Sequence, residues 1–288
     1  MRIDWRDLRS RYPLLDILWR LTKHKGAQVG GIVFILLVLM AVFAPQIAPY
    51  DPLEIDPARR MLGPSRDHWF GTDTTGRDML SRIMYGARVS LTLGIVATSI
   101  AMTFGVTLGL IAGFSGGWID ELISRLVEIL LAFPGLLLAM IAVFALGPSL
   151  FNAMIAVGIQ RIPGHTRVTR GAVLSAKQEP YVESARAAGA AEGIIMVRHL
   201  LPNVVAPNIV IGTLGTGTAI IVGAGLSFLG LGAQPPTAEW GLMLSMGRGF
   251  VGSAPWLSVF PGLAIGVTVL SINMLGDALR DVLDPKVR

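Results

Sequence analysis

The sequence contains few side chains that could catalyse a reaction or hold a metal. It has no cysteine, which excludes a disulfide framework, a cysteine-ligated zinc site and a thiol nucleophile. It contains neither a G-x-S-x-G nor an H-E-x-x-H motif. The histidines share no metal-ligand spacing; they are His24, His68, His165 and His199. We therefore expect no catalytic residue and no metal site.

One segment begins like a nucleotide-binding loop. The stretch 71–78, GTDTTGRD, has the two glycines of a Walker A motif. That motif needs a Lys after the second Gly to reach the phosphates, followed by Ser or Thr for Mg²⁺. This sequence has Arg77 and Asp78 at those positions, and an acidic residue would repel phosphate. We therefore expect no ATP site in this segment.

Three charged residues share one face of a predicted helix. Glu121, Arg125 and Glu128 are spaced i, i+4 and i+7, so their side chains are neighbours on the helix surface. Ionisable groups inside a membrane would mark an ion-coupled carrier, but these lie at the inner end of an apolar segment. We interpret them as a mutually neutralising ion cluster at the cytoplasmic mouth, in preference to a proton relay.

The composition predicts that most of the chain lies in a membrane. Hydrophobic residues make up 52% and charged residues 15%, whereas a soluble domain usually carries about 25% charge. A helix needs about 20 apolar residues to cross ~30 Å of hydrocarbon. We predict an all-α, polytopic membrane protein with six transmembrane helices, at 27–48, 89–113, 121–146, 147–162, 204–231 and 256–275.

Two of these spans leave alternatives open. The first could be a cleaved signal sequence, but its apolar run is longer than a signal core and residues 1–26 precede it. We favour an uncleaved anchor. The segment 147–162 is short and ends near Gln160, Arg161 and Pro163. We include it because the loops then have balanced charges.

The distribution of basic residues predicts the orientation. With the N-terminus in the cytoplasm, 17 of the 24 Lys and Arg residues lie on the cytoplasmic side and 7 on the outer side, in accord with the positive-inside rule. Residues 1–26 and 279–288 are then cytoplasmic, 49–86 form an outer loop, and 87–278 form the transmembrane core. This topology accounts for the net charge of +5, so we expect no nucleic-acid partner.

The outer loop 232–255 is unusually apolar and contains the run WGLMLSMGRGFV. Such a segment is typical of an interfacial or re-entrant helix whose polar ends are covered by protein. We predict that it narrows the outer mouth of a pathway. The candidate residues are Trp240, Leu242, Met243 and Met246.

Glycines at small-xxx-small spacing predict close packing between helices. Gly105, Gly109 and Gly113 have this spacing, and Gly262 and Gly266 repeat it. We favour packing within the chain over dimerisation.

The cytoplasmic loop 163–202 reads as a helix, a glycine turn and a second helix. Pro180 is a favourable first helical residue and Glu179 lies near the positive helix start. Gly189 can adopt the left-handed conformation that ends a helix, and a second helix from about 191 to 201 would stop at Pro202. Small side chains give the first helix a slim surface that could enter a partner's groove, although an Ala-rich connector would look similar.

This loop resembles the EAA loop of ABC-importer permeases, whose pattern is E-A-A-x₃-G-x₉-I-x-L-P. The matching stretches are Glu183-Ser184-Ala185, Gly189 and His199-Leu200-Leu201-Pro202. Ser184 replaces the first Ala and His199 replaces the Ile. The segments 68–91, 133–139, 226–244 and 273–286 extend the resemblance to the dipeptide/oligopeptide/nickel subfamily, within which they are similar to the C-type (DppC/OppC-like) subunit.

The resemblance implies a type I ABC importer permease fold, with 181–193 as a coupling helix in a cleft of a separate ATPase subunit. Glu183 would hold this helix and Gly189 would set its turn. The residues implied in coupling are Tyr181, Glu183, Ser184, Ala185, Ala188, Gly189, Ala190, Leu201 and Pro202. ATP and Mg²⁺ would bind to the partner subunits, and this chain would hold no cofactor.

The resemblance also implies the partners and the location. The partners would be a B-type permease subunit in a heterodimer, two ATP-binding subunits, an extracytoplasmic substrate-binding protein and the lipid bilayer. The chain would lie in the inner (cytoplasmic) membrane with both termini in the cytoplasm. We expect dipeptides or oligopeptides as substrates; a nickel complex, glutathione or another small solute is the alternative.

Three mechanisms without ATP are less compatible with the sequence. An ion-coupled secondary transporter would need membrane-embedded acids and repeat symmetry, and an integral-membrane enzyme would need a polar constellation within a span. A passive channel would need a polar pore-lining pattern, whereas the later spans have only scattered Asn, Gln and Thr.

Overall fold

The computed structural model describes residues 19–283, and every regular element in that range is a helix. The predicted terminal segments 1–26 and 279–288 therefore lie partly outside the described residues. The helices are α1 (Lys25–Ile47), α2 (Met79–Ser115), α3 (Gly117–Leu131), α4 (Gly135–Leu146), α5 (Leu150–Ala176), α6 (Pro180–Ala187), α7 (Glu192–Phe228), α8 (Trp240–Gly247) and α9 (Trp256–Leu283). The predicted all-α class is confirmed.

Length and apolarity identify fewer spans than the six predicted. Within residues 19–283, the helices α1, α2, α7 and α9 are long and apolar enough to cross a membrane, and the bent pair α3 and α4 can count as a fifth span. Helix α5 does not meet this criterion. Its polar residues Gln160, Arg161, His165 and Arg167 account for the difference.

The third predicted span, 121–146, is not one helix. It breaks between α3 and α4, whose axes differ by 97°. Pro134 begins the second part with an extended backbone (ψ 130°), and a proline disfavours helical geometry in the residue before it. The prediction of a continuous helix was therefore wrong at this point.

Two other predicted helix ends were wrong, because packing against other helices lets each helix continue beyond the proline at which we expected it to end. Helix α5 continues past Pro163 to Ala176, where it packs along α2 and α7. Helix α7 continues through Pro202 and Pro207 to Phe228. A π-helical turn, Ile195–Leu200, directly precedes Pro202, where a regular turn would press the proline ring against the carbonyl four residues earlier.

The first set of small residues lets α2 approach α5 closely. A methyl group on Gly113 would lie 2.8 Å from the Cβ of Val173, and one on Gly105 would overlap with the His165 side chain. The predicted packing within the chain is confirmed here. The second set does not behave in this way, because a methyl group on Gly266 would meet nothing within 4 Å.

The stretch 71–78 forms a loop with internal hydrogen bonds at the start of α2. The carboxylate of Asp78 accepts hydrogen bonds from the Ser81 backbone N–H (2.8 Å) and lies 2.9 Å from Nδ1 of His68. The Asp73 carboxylate accepts a hydrogen bond from Nε of Arg77 at 2.7 Å. Burial alone would raise the pKa of Asp73, but hydrogen bonds from Thr75 and the charge of Arg77 outweigh it and lower the pKa. This segment caps a helix.

Candidate functional site

The helix α6, which we predict to lie in the cytoplasm, is formed by local signals in its own sequence. Pro180 occupies its first turn, and Glu183 places a carboxylate near the positive end of the helix. The helix ends at Ala187, so the predicted coupling helix 181–193 is shorter than expected. Both predicted boundary residues, Pro180 and Gly189, act as proposed.

Gly189 ends α6 in a Schellman motif. The N–H of Gly189 donates to the carbonyl of Arg186 (3.0 Å), and the N–H of Ala190 donates to that of Ala185 (3.1 Å). Gly189 has φ +81°, and a methyl group there would meet nothing within 4 Å. The backbone conformation, rather than lack of space, therefore favours glycine.

One side of α6 is anchored to the helix bundle. Val182 is fully buried and packs in a cluster whose other buried members are Leu110, Val173, Ile195, Leu200 and Val204. The hydroxyl of Tyr181 accepts a hydrogen bond from the Asn203 side chain (3.0 Å). Ala185, Ala190 and Leu201 are half-buried against the same cluster. These contacts join α6 to the cytoplasmic ends of α2, α5 and α7.

The other side of α6 is a slim exposed face. Glu183, Ser184, Ala187 and Ala188 are exposed, as is Pro202 on α7. Within residues 19–283 the Glu183 carboxylate accepts no hydrogen bond, and its interaction is the attraction of Arg186. This face is open to a partner.

An ion pair across the Gly189 turn was missed by the sequence analysis. The guanidinium of Arg186 donates to both carboxylate oxygens of Glu192, at 2.8 and 3.2 Å. The pKa of Arg186 is raised because it donates these hydrogen bonds and faces the Glu192 charge. The pair links α6 to α7, six residues along the chain, which is too far for a helical-spacing rule to detect.

The predicted ion cluster at the start of the third span is solvated. Arg125 lies 3.3 Å from Glu128 and 3.9 Å from Glu121, and all three side chains are more than half exposed. A different pair connects helices here. Asp120 accepts two hydrogen bonds from Arg170, at 2.5 and 2.7 Å, which ties α3 to α5. The two residues are 50 positions apart, so no local sequence pattern indicates this contact.

The four outer-mouth candidates all belong to α8. Trp240, Leu242 and Met243 are buried, and Met246 is half-buried. The indole Nε1 of Trp240 donates to the carbonyl of Ile83 at 3.1 Å. Helix α8 therefore packs its apolar face against α2, α7 and α9, and its role in narrowing an outer mouth stays a prediction.

Two buried charged residues, both missed by the sequence analysis, hold α8 in place. The carboxylate of Glu239 is 1% exposed and caps α8 by accepting from the N–H groups of Gly241 (3.0 Å) and Leu242 (2.7 Å). Burial raises the pKa of Glu239 despite these hydrogen bonds. The guanidinium of Arg82, also 1% exposed, donates to the carbonyls of Pro52 (3.0 Å) and Thr237 (3.3 Å).

Within residues 19–283 no cluster of three or more His, Asp or Glu side chains could hold a metal ion. The described residues thus present a packed helix α8 at one end of the bundle and the exposed face of α6 at the other.

Comparison with known proteins identifies relatives over most of the chain. Residues 105–288 match the family described as "Binding-protein-dependent transport system inner membrane component", and residues 13–64 match the N-terminal TM domain of oligopeptide transport permease C. The dipeptide transport system permease protein DppC of Alkalihalophilus pseudofirmus is 51% identical, over 96% of this chain and 91% of the relative. The glutathione transport system permease protein GsiD of Escherichia coli O157:H7 is 47% identical, over 96% and 92%.

A solved structure gives the fold. The MetNI methionine ABC transporter in an inward-facing conformation contains a chain that matches with a TM-score of 0.57 and 20% sequence identity, covering 72% of this chain and 98% of that chain. This confirms the type I ABC importer permease fold. The chain therefore belongs to the family of binding-protein-dependent transport system inner membrane components.

Proposed function

We propose that this chain is the C-type permease subunit of an ATP-driven importer of dipeptides or other short peptides. The observation that carries the proposal is the geometry of α6, which is anchored through Val182 on one side and exposes Glu183, Ser184 and Ala188 on the other. A rigid, slim helix with one free face can enter a groove of a second protein.

In this proposal the chain does no chemistry. It pairs with a B-type permease subunit, and the solute crosses between the two. Two separate ATP-binding subunits carry ATP and Mg²⁺ and hold the exposed face of α6 in a cleft. When they close, α6 transmits the movement to α5 and α7 as rigid-body rocking, because its anchor lies among residues of both helices.

An extracytoplasmic substrate-binding protein delivers the peptide to the outer end. The buried packing of Trp240 and Met243 supports a closed outer side in this conformation. Both termini lie in the cytoplasm of a cell whose inner (cytoplasmic) membrane holds the complex, in agreement with the basic residues around α6.

Two relatives bear on the substrate. One is named for dipeptide transport at 51% identity and the other for glutathione transport at 47% identity. Both substrates are short peptides with free carboxylates. The relative with the higher identity favours dipeptides as the main substrate class, with glutathione as the second candidate.

The experiment is uptake by proteoliposomes that contain both permease subunits, the ATP-binding subunits and the binding protein. We expect uptake of a radiolabelled dipeptide that needs ATP and is blocked by vanadate. Uptake that persists with vanadate, or that follows an ion gradient without ATP, would contradict the proposal. Competition by glutathione tests the second candidate in the same assay.

A further inference from the structure

Arg161 is a charged residue near the middle of the bundle that lacks a partner. It is the twelfth residue of α5, so it lies about 17 Å along the axis from the outer end of that helix, close to the middle of a ~30 Å hydrocarbon layer. Within residues 19–283 it makes no ion pair or hydrogen bond, and its Nε is buried and unpaired. An arginine at this depth is costly unless it faces water or an anion.

Two polar side chains close to Arg161 also have buried atoms without a hydrogen-bond partner. Its guanidinium lies directly against Gly215 of α7, where any side chain would overlap with it. The neighbouring Gln160 reaches Gly135 at the start of α4, and its Oε1 is buried without a hydrogen-bond partner. One turn farther along α5, Nε2 of His165 is also buried and unpaired. Three polar side chains thus leave hydrogen-bonding capacity unused where α4, α5 and α7 meet.

The helices α2, α4, α5 and α7 supply no anion for Arg161. Residues 129–178 and 193–238 contain no Asp or Glu, and neither does α2. These segments comprise α4, α5 and nearly all of α7, the helices around Arg161. Lipid phosphates are excluded by depth, because they lie at the membrane surface. A counter-ion can come from a molecule that enters the middle of the bundle or from the partner permease, and the experiment below distinguishes the two.

We propose that Arg161 binds the carboxylate of the peptide during its passage through the membrane, with Gln160 as a hydrogen-bond partner of the peptide backbone. This inference rests on the proposed transport of short peptides. A guanidinium can hold a carboxylate through two parallel hydrogen bonds, and the Gln160 Oε1 can accept from a peptide N–H. The site recognises a feature common to all unmodified peptides, so it fits a carrier of varied short peptides.

The test compares two solutes in the reconstituted complex: dialanine and its C-terminal amide, each supplied at the concentration that gives equal occupancy of the binding protein. In the variant Arg161→Met we expect uptake of dialanine to fall about tenfold or more, as for loss of a charge-assisted pair. Uptake of the amide should change less than about twofold. Arg161→Lys keeps the positive charge but lacks the planar guanidinium that can donate two parallel hydrogen bonds to a carboxylate. Its dialanine uptake should lie between that of the wild type and that of Arg161→Met.

The matched control is Arg167→Met. Arg167 lies on the same helix, is exposed and makes no ion pair within residues 19–283, so the dialanine-to-amide ratio should equal that of the wild type. The proposal is overturned if Arg161→Met lowers the uptake of both solutes equally, as expected for a structural role or for a counter-ion on the partner permease, or lowers neither. Failure of the proposed function is a different result: the wild-type complex then takes up neither solute.

Discussion

The two ends of the bundle, called outer and cytoplasmic after the proposed topology, use charged side chains in opposite ways. At the outer end, Arg82 and Glu239 are each 1% exposed, and their hydrogen bonds tie the outer loops to α2 and α8. At the cytoplasmic end, Glu183 and Arg186 of α6 are exposed and Val182 supplies the buried anchor. The outer end is thus fixed by interactions within the chain. The cytoplasmic end is left free to be held by another protein.

This difference predicts whether a substitution at each end affects folding stability or transport. Removing a buried charged group leaves its partners unpaired in a low-dielectric interior, so the cost appears in folding stability. Changing an exposed helix costs little stability, so its effect appears in transport. Substitutions at the outer end should therefore change stability, and substitutions at the cytoplasmic end should change transport.

The substitution Arg82→Leu should destabilise the outer end strongly. It leaves the carbonyls of Pro52 and Thr237 without their donor, while Asp73 keeps Arg77 as its neighbouring cation. We expect the free energy of unfolding to fall by about 1–3 kcal/mol for each carbonyl left unpaired, measured by thermal or denaturant unfolding in detergent. The control is Arg88→Leu, an exposed position on the same helix. Equal effects of the two substitutions would refute the structural role of Arg82.

The substitution Gly189→Val should uncouple transport while the protein still inserts. A β-branched residue at φ +81° costs about 1–2 kcal/mol in local conformation, which would change the direction in which the chain leaves α6. We expect peptide uptake to fall about tenfold for a distortion of this energy, with near-normal amounts of membrane-inserted protein. Gly193→Val is the matched control, because Gly193 is exposed, has open space around it and has no positive φ. Normal uptake by Gly189→Val would contradict the proposed coupling role.

The buried carboxyl of Glu239 should give the outer end a pH dependence. Burial raises its pKa, so the folded state binds its proton more tightly than the unfolded chain, whose Glu has a pKa of about 4.3. The stabilising contribution is complete below that value and is lost as the pH rises through the folded-state pKa. The variant Glu239→Gln has no titrating group at this position and therefore lacks this pH-dependent stabilisation. The Tm of the wild type minus that of the variant should accordingly decrease between pH 4 and pH 8. A difference that does not vary with pH would show that this carboxyl has the same pKa in both states.

Breaking the Arg186–Glu192 pair should have the smallest effect. Both side chains are exposed, and exposed ion pairs contribute little in water. We expect Arg186→Gln and Glu192→Gln each to lower uptake by about twofold at most, and the double variant to resemble the single ones because the same contact is lost. A tenfold loss in Arg186→Gln alone would instead show that Arg186 contacts a partner directly.

The local features of the chain could be read from the sequence. Apolar length marked α1, α2, α7 and α9 as spans, and the pair Pro180 and Gly189 marked both limits of α6. These signals act within a few residues: hydropathy accumulates along one segment, and a helix cap depends on its own turn. The membrane class, the cytoplasmic helix and the glycine contact between α2 and α5 were therefore predictable.

The tertiary structure alone decided how these elements bend and which side chains they bury. It placed the 97° break between α3 and α4, carried α5 and α7 through their prolines, and buried Trp240 against α2. It also paired Arg82 with Thr237, 155 positions apart, and left Arg161 without a counter-ion among residues 19–283. Contacts between residues so far apart along the chain depend on how whole helices pack, and no pattern of neighbouring residues encodes that arrangement.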